Sequence, residues 1–182
     1  VKRRVFAFVA LLAIAPVILI AQRRVAGFIE PMPSAKLKEL FPKAVAFTPR
    51  GDKDPIHFTA YAVDPSKNPG AKPIGWAFWT IDLVPGELGY HGHIHMLIGM
   101  DTTGHLTGVI MDVNTEPYAD ISIDRPEFPR QFKGKSIRDR FEVGQDVDLT
   151  SRATISVRAA AREIRESARM VARAVMTPDA VR

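Results

Sequence analysis

The 182-residue sequence predicts an α+β domain, a mainly antiparallel sheet with a C-terminal amphipathic helix, preceded by one N-terminal transmembrane helix. Three observations carry that reading. Apolar and polar residues alternate from His93 to Met100 and resume from His105 to Val113 after the turn-forming Asp101-Thr102-Thr103-Gly104. Apolar residues recur at helical spacing from Ser156 to Met176. An uninterrupted apolar run, Val5 to Ala21, stands between basic flanks.

Apolar content of 46% and charged content of 25% exclude wholesale disorder. The chain has no cysteine, which excludes disulfides, thiolate zinc sites, c-type haem attachment and iron–sulfur clusters together. Any redox role must therefore use a cofactor held by other side chains. The net charge of +5 is unevenly spread: Lys2, Arg3, Arg4, Arg23 and Arg24 flank the apolar run, and seven further arginines follow Thr150, so the body between is acidic. That distribution argues against nucleic acid as a partner.

At ~1.5 Å per residue, Val5 to Ala21 reaches the short end of a membrane span. Cleavage after Ala21 would place Leu19 where a small residue is required, so residues 1–24 are expected to be an uncleaved signal anchor. The stronger basic flank precedes the span, which predicts a cytoplasmic N-terminus and a body outside the cytoplasm.

Residues 25–56 carry Pro31, Pro33, Pro42, Pro49 and Pro55 and are expected to form a stalk with one short helix, Ala35 to Phe41, capped by Ser34. His57 to Val63 alternates as a strand does, Asp64 to Gly70 is a loop by composition, and Pro73 to Ile81 is a second strand. Trp76, Phe78 and Trp79 are expected in the core. Residues 114–146 are read as a long irregular connection. On the last helix Val157, Ala160, Ala161, Ile164, Ala168 and Val171 share a face. Arg158, Arg162, Arg165, Arg169 and Arg173 take the other, offset only by Glu163 and Glu166, and are expected to meet solvent, anionic headgroups or an acidic partner. The domain is thus expected at 57–176, with a tail at 177–182.

His91, His93 and His95 alternate, so an extended strand would place them on one face, opposite Ile94, Met96 and Ile98. Neighbours on such a face lie ~6.5 to 7 Å apart, a poor match to three metal ligands, and no metal is expected there. Asp148 to Ser156 holds Thr150, Ser151, Thr154 and Ser156 at the start of the last helix. These supply N-cap oxygens, with Thr150 or Ser151 the expected cap, and surround amides that lack intrahelical partners and favour an anion.

Asp148-x-x-Ser151-x-Ala153-Thr154 resembles the flavinylation motif of the FMN-binding domain family, Asp-x-x-Ser/Thr-Gly-Ala-Thr, with Arg152 in place of the glycine. Gly89-Tyr90-His91-Gly92-His93-Ile94, Thr80-Ile81-Asp82, Gly104-x-x-x-Gly108 and Glu116-Pro117 are similar, in the same order, to segments of the family's nitrous-oxide-respiration branch. The resemblance covers about residues 34 to 176. It implies FMN joined by a phosphoester to Thr154, and a cofactor-binding set of Thr154, Ser151, Arg152, Ala153, Ile155, Ser156, Asp148, Tyr90, His93, Ile94 and Glu116. It further implies a membrane-anchored electron-transfer flavoprotein of the bacterial inner membrane, facing the periplasm, matured by a flavin transferase and working with a larger membrane complex or redox partner. The histidine face would then look toward solvent or the flavin ring. The alternative is a structural or assembly subunit that keeps the fold and binds no flavin.

Overall fold

The structure, a computed structural model, describes residues 30–51 and 53–178. The expected span Val5 to Ala21 and the last four residues of the expected tail lie outside them. Among the described residues no helix is long and apolar enough to cross a membrane.

A compact unit begins at Met32. Its elements are α1 (Ser34–Leu40), β1 (Ala46–Thr48), β2 (Phe58–Tyr61), β3 (Pro73–Trp79), α2 (Thr80–Leu83), β4 (His95–Asp101), β5 (Leu106–Val113), a 3-10 turn (Ala119–Ile121), α3 (Glu127–Arg130) and α4 (Thr154–Val175). The five strands form one antiparallel sheet in chain order, with Phe78 opposite Ile98 and Ile98 opposite Val109. The β4–β5 hairpin follows the sequence pattern. The Asp101 carboxylate accepts the Thr103 and His105 amides at 2.8 and 3.0 Å, and Gly104 takes φ +82°, a backbone state that glycine adopts at little cost.

Helix α4 packs its small and branched face on one side of this sheet. Val157, Ala160, Ile164, Ala168 and Val171 are buried against Phe78, Met96, Ile98 and Met100, and Phe128, Phe132 and Phe141 from the long connection complete the core. The other side is also covered, which the sequence reading did not anticipate. Leu37, Leu40, Phe41 and Ala44 are buried. A Cβ at Gly75 would overlap the Phe41 ring, and one at Gly99 would crowd Leu40 and Phe41. Lys36 adds an ion pair to Asp112 and stands 5.3 Å over the Trp79 ring.

Several expectations are therefore corrected. Residues 34–48 are not stalk: α1 is a layer of the domain, and β1 pairs with β2 at its edge. Ser34 is the first helical residue rather than the cap, and its side chain caps nothing. The strand expected to reach Ile81 ends at Trp79, where Thr80 opens a helical turn. The last helix starts at Thr154, two residues earlier than its periodicity indicates.

The arginine face is also more occupied than expected. Arg169 donates to the Ile137 and Asp139 carbonyls at 2.9 Å each, Arg165 bonds Glu166 at 2.8 Å, and Arg162 pairs with Glu87 at 3.0 Å. Arg169 and Arg162 thereby bind the 137–139 segment and the loop at Glu87 to α4.

Close approach of α1 to the sheet makes a direct prediction. Gly75→Ala should destabilise the domain by about 1 to 3 kcal/mol in urea denaturation through overpacking against Phe41. Gly86→Ala, where an added Cβ meets nothing within 4 Å, should change stability by no more than about 0.5 kcal/mol.

Candidate cofactor site

The site forms where α4 begins. Ala153 donates its amide to the Thr150 carbonyl at 3.3 Å, closing a tight turn, and Arg152 inside that turn takes φ +72°. An L-residue with a side chain pays about 1 to 2 kcal/mol for that left-handed backbone, and glycine does not. The turn also removes Thr150 and Ser151 from capping position. Ala153 occupies the N-cap and no side chain caps the helix, so the expected cap is corrected. The first-turn amides are left to solvent or a ligand, and the first turn carries no acidic residue.

A single carboxylate brings the second wall to this helix start. Glu116 accepts the Tyr90 and His91 amides at 2.8 Å each and the Ser156 hydroxyl. Burial alone would raise its pKa, but the Ser156 hydroxyl and the His91, Tyr90 and Gly92 amides together hold it below the usual carboxylate range. The carboxylate lies where a Cβ on residue 89 would be, so Gly89 is required by close approach. Upstream, the Thr80 hydroxyl donates to the Ile94 carbonyl at 3.1 Å and accepts the Met96 amide at 3.2 Å, fixing the end of the same loop to the sheet.

The result is a cleft of about 230 Å³, with Tyr90, Pro117 and Tyr118 on one side and Arg152 to Ser156 on the other. Of the residues expected from sequence, Tyr90, Arg152, Ala153, Thr154, Ile155 and Ser156 line it, and Glu116 holds its two sides together. The other four take no part in it. Ile94 is core at 1% exposure, and His93 is exposed on the loop. Ser151 is exposed outside the cleft, and Asp148 lines a separate hollow with Thr150 while its amide donates to Gln131. Pro117 and Tyr118 were not expected; their signal in the sequence is their place directly after Glu116.

The shared histidine face is corrected as well. β4 begins only at His95, so His91 and His93 belong to the loop, and the strand face that His95 starts continues into Leu97 and Gly99 under α1. The His93 and His95 rings lie 6.4 Å apart. Burial lowers the His95 pKa, opposed by Asp112 and Asp82 and assisted by His93. Among the described residues no group of three or more His, Asp or Glu side chains is placed to hold a metal.

Glu163 is a titratable residue that periodicity misassigned. Two turns along α4 from Ser156, it faces inward with 3% exposure, and its Oε1 has no hydrogen-bond partner. Burial pushes its pKa up to about 8; the Thr80 hydroxyl and Arg162 oppose the rise, and Glu87 and Glu116 add to it. The acid is thus neutral in the fold at pH 7.

The unfolded chain releases this proton near pH 4.5, while the folded chain keeps it to about pH 8. Its contribution to stability is therefore full below 4.5 and lost as pH rises to about 8, at up to ~1.4 kcal/mol per pH unit. His57 and His95, lowered from 6.5 chiefly by burial, act the opposite way and only around and below 6.5. Urea midpoints measured at pH 7 and pH 8 should fall for the wild type and stay level for Glu163→Gln. A pH-independent difference between the two proteins would contradict the buried acid.

No protein-family model and no curated protein matches the chain.

Proposed function

We propose that the chain is an FMN-binding domain that carries FMN as a phosphoester on Thr154. In this reading it is held at the periplasmic face of a bacterial inner membrane by residues 1–24 and passes electrons within a larger membrane complex. The observation that carries the reading is the backbone at Arg152. The resembling motif has glycine at this position, and here the chain adopts φ +72°, beside an uncapped helix start and inside a cleft that Thr154 lines. The conformation glycine would serve is present although the glycine is not.

The donor set suits the phosphate end of a flavin nucleotide. Helix α4 offers its free first-turn amides and the positive end of a 22-residue dipole, and Arg152 brings a planar cation into the same cleft. Glu116, the nearby carboxylate, already has three donors of its own and tethers the Ser156 hydroxyl. Flavin, when bound, supplies one- and two-electron redox chemistry, while the protein supplies position and electrostatics. Joining a threonine hydroxyl to a phosphate releases the elements of water, so attachment requires an activated flavin nucleotide and a transferase.

Two variants test this reading. Thr154→Ala should lose all covalent flavin, seen as loss of the flavin mass increment and of visible absorbance, with stability unchanged within about 0.5 kcal/mol because Thr154 caps nothing. Arg152→Gly should stabilise the fold by about 1 kcal/mol in urea denaturation by relieving the left-handed backbone, and should raise flavin occupancy where the transferase is limiting. A colourless wild type, made beside an active transferase and recovered in stoichiometric complex with other membrane subunits, would favour an assembly subunit instead.

A further inference from the structure

We infer that Tyr90 and Tyr118 seat the isoalloxazine ring at the mouth of the cleft, an assignment that rests on the FMN reading above. The cleft volume sets the arrangement. At about 230 Å³ it falls below the ~300 to 1,000 Å³ of sites that engulf a ligand of drug size. It takes the phosphate end of a flavin nucleotide and leaves the ring at the rim.

The rim is unusually apolar for exposed surface. Tyr90 is 64% exposed, Ile155 55% and Tyr118 47%, and all three line this cleft. Single exposed apolar residues need no explanation, but three around one opening form a patch. Two of the chain's three tyrosines are here, and the third, Tyr61, is on β2, second in the sheet order, and does not line the cleft.

Both tyrosines stand on backbone already held in place. The Tyr90 amide is bonded to Glu116, and the Tyr118 carbonyl accepts the Ser122 hydroxyl at 2.6 Å. Pro117, with its fixed φ, joins Tyr118 to Glu116. The Glu116 carboxylate thus holds the backbone at Tyr90, and Pro117 with the Ser122 hydroxyl holds it at Tyr118, so the entropy of ordering both backbones is spent in folding rather than on binding. A flat heteroaromatic ring with polar edges matches two tyrosines that offer stacking faces and hydroxyl tips. The role is positioning and electronic tuning of the ring.

Flavin fluorescence is quenched when a tyrosine ring, an electron donor to the excited flavin, lies in contact with it, and phenylalanine does not donate in this way. The test uses the full chain produced in membranes with an active flavin transferase, with occupancy read by intact mass. The Tyr90→Phe/Tyr118→Phe double variant should gain several-fold in flavin fluorescence per flavin bound, with the bound amount taken from the intact mass. Tyr118→Trp should stay quenched and Tyr61→Phe should be unchanged. A double Phe variant with wild-type fluorescence per bound flavin would overturn the ring assignment and leave the FMN reading standing. A wild type with no flavin mass would overturn both. Because both side chains are exposed, their replacement leaves the core intact.

Discussion

The Glu116 carboxylate is the interaction on which the candidate site depends. It lies at the start of the long connection that follows β5, yet it gathers two amides from the 89–92 loop and a hydroxyl from α4. Charge-assisted hydrogen bonds of this kind are roughly twice as strong as neutral ones. Here they also fix geometry, because both walls of the cleft are defined by the same two oxygens. Gly89 is the steric counterpart, since any side chain there would displace the carboxylate.

That arrangement needs a rigid base, and the three layers provide it. α4 lies on one face of the sheet and α1 on the other, each close enough that small residues are required at the contact: Ala160, Ala161, Ala168 and Ala172 on α4, Gly75 and Gly99 under α1. Part of the backbone strain lies at the site. Arg152 and Phe141 are the residues other than glycine with left-handed backbone among those described, and Arg152 is in the cleft. Strain held by surrounding structure at a binding position is the pattern expected of a functional site. Glu163 is a second cost, a buried acid beneath the same helix segment that stays neutral because water does not reach it.

The hairpin and the last helix were legible because their periods are unbroken: alternation through Met96, Ile98 and Met100, and three-four spacing from Val157 to Val171. The first layer was legible as a short helix, Ala35 to Phe41, but not as part of the domain. Prolines at 31, 33, 42, 49 and 55 punctuate the segment so heavily that it looks like a stalk around an isolated helix, and only Leu37, Leu40 and Phe41 indicate that the helix has something to bury. Residue type hid the rest. A glutamate among arginines reads as exposed, so Glu163 was assigned to the wrong face. An arginine gives no sign of positive φ, so the turn before Thr154 was visible only through its resemblance to a motif that has glycine there. Histidines at alternate positions suggested a continuous strand that in fact begins at the third of them.

Trypsin offers the most direct test of the central claim, because cleavage after Arg152 and Arg158 releases residues 153–158, which contain Thr154 and Ser156. The chain purified from a membrane with flavin transferase activity should yield this peptide carrying the mass of an FMN phosphoester, with fragment ions placing it on Thr154. Recovery of the peptide wholly unmodified, or modified on Ser156, would contradict the account.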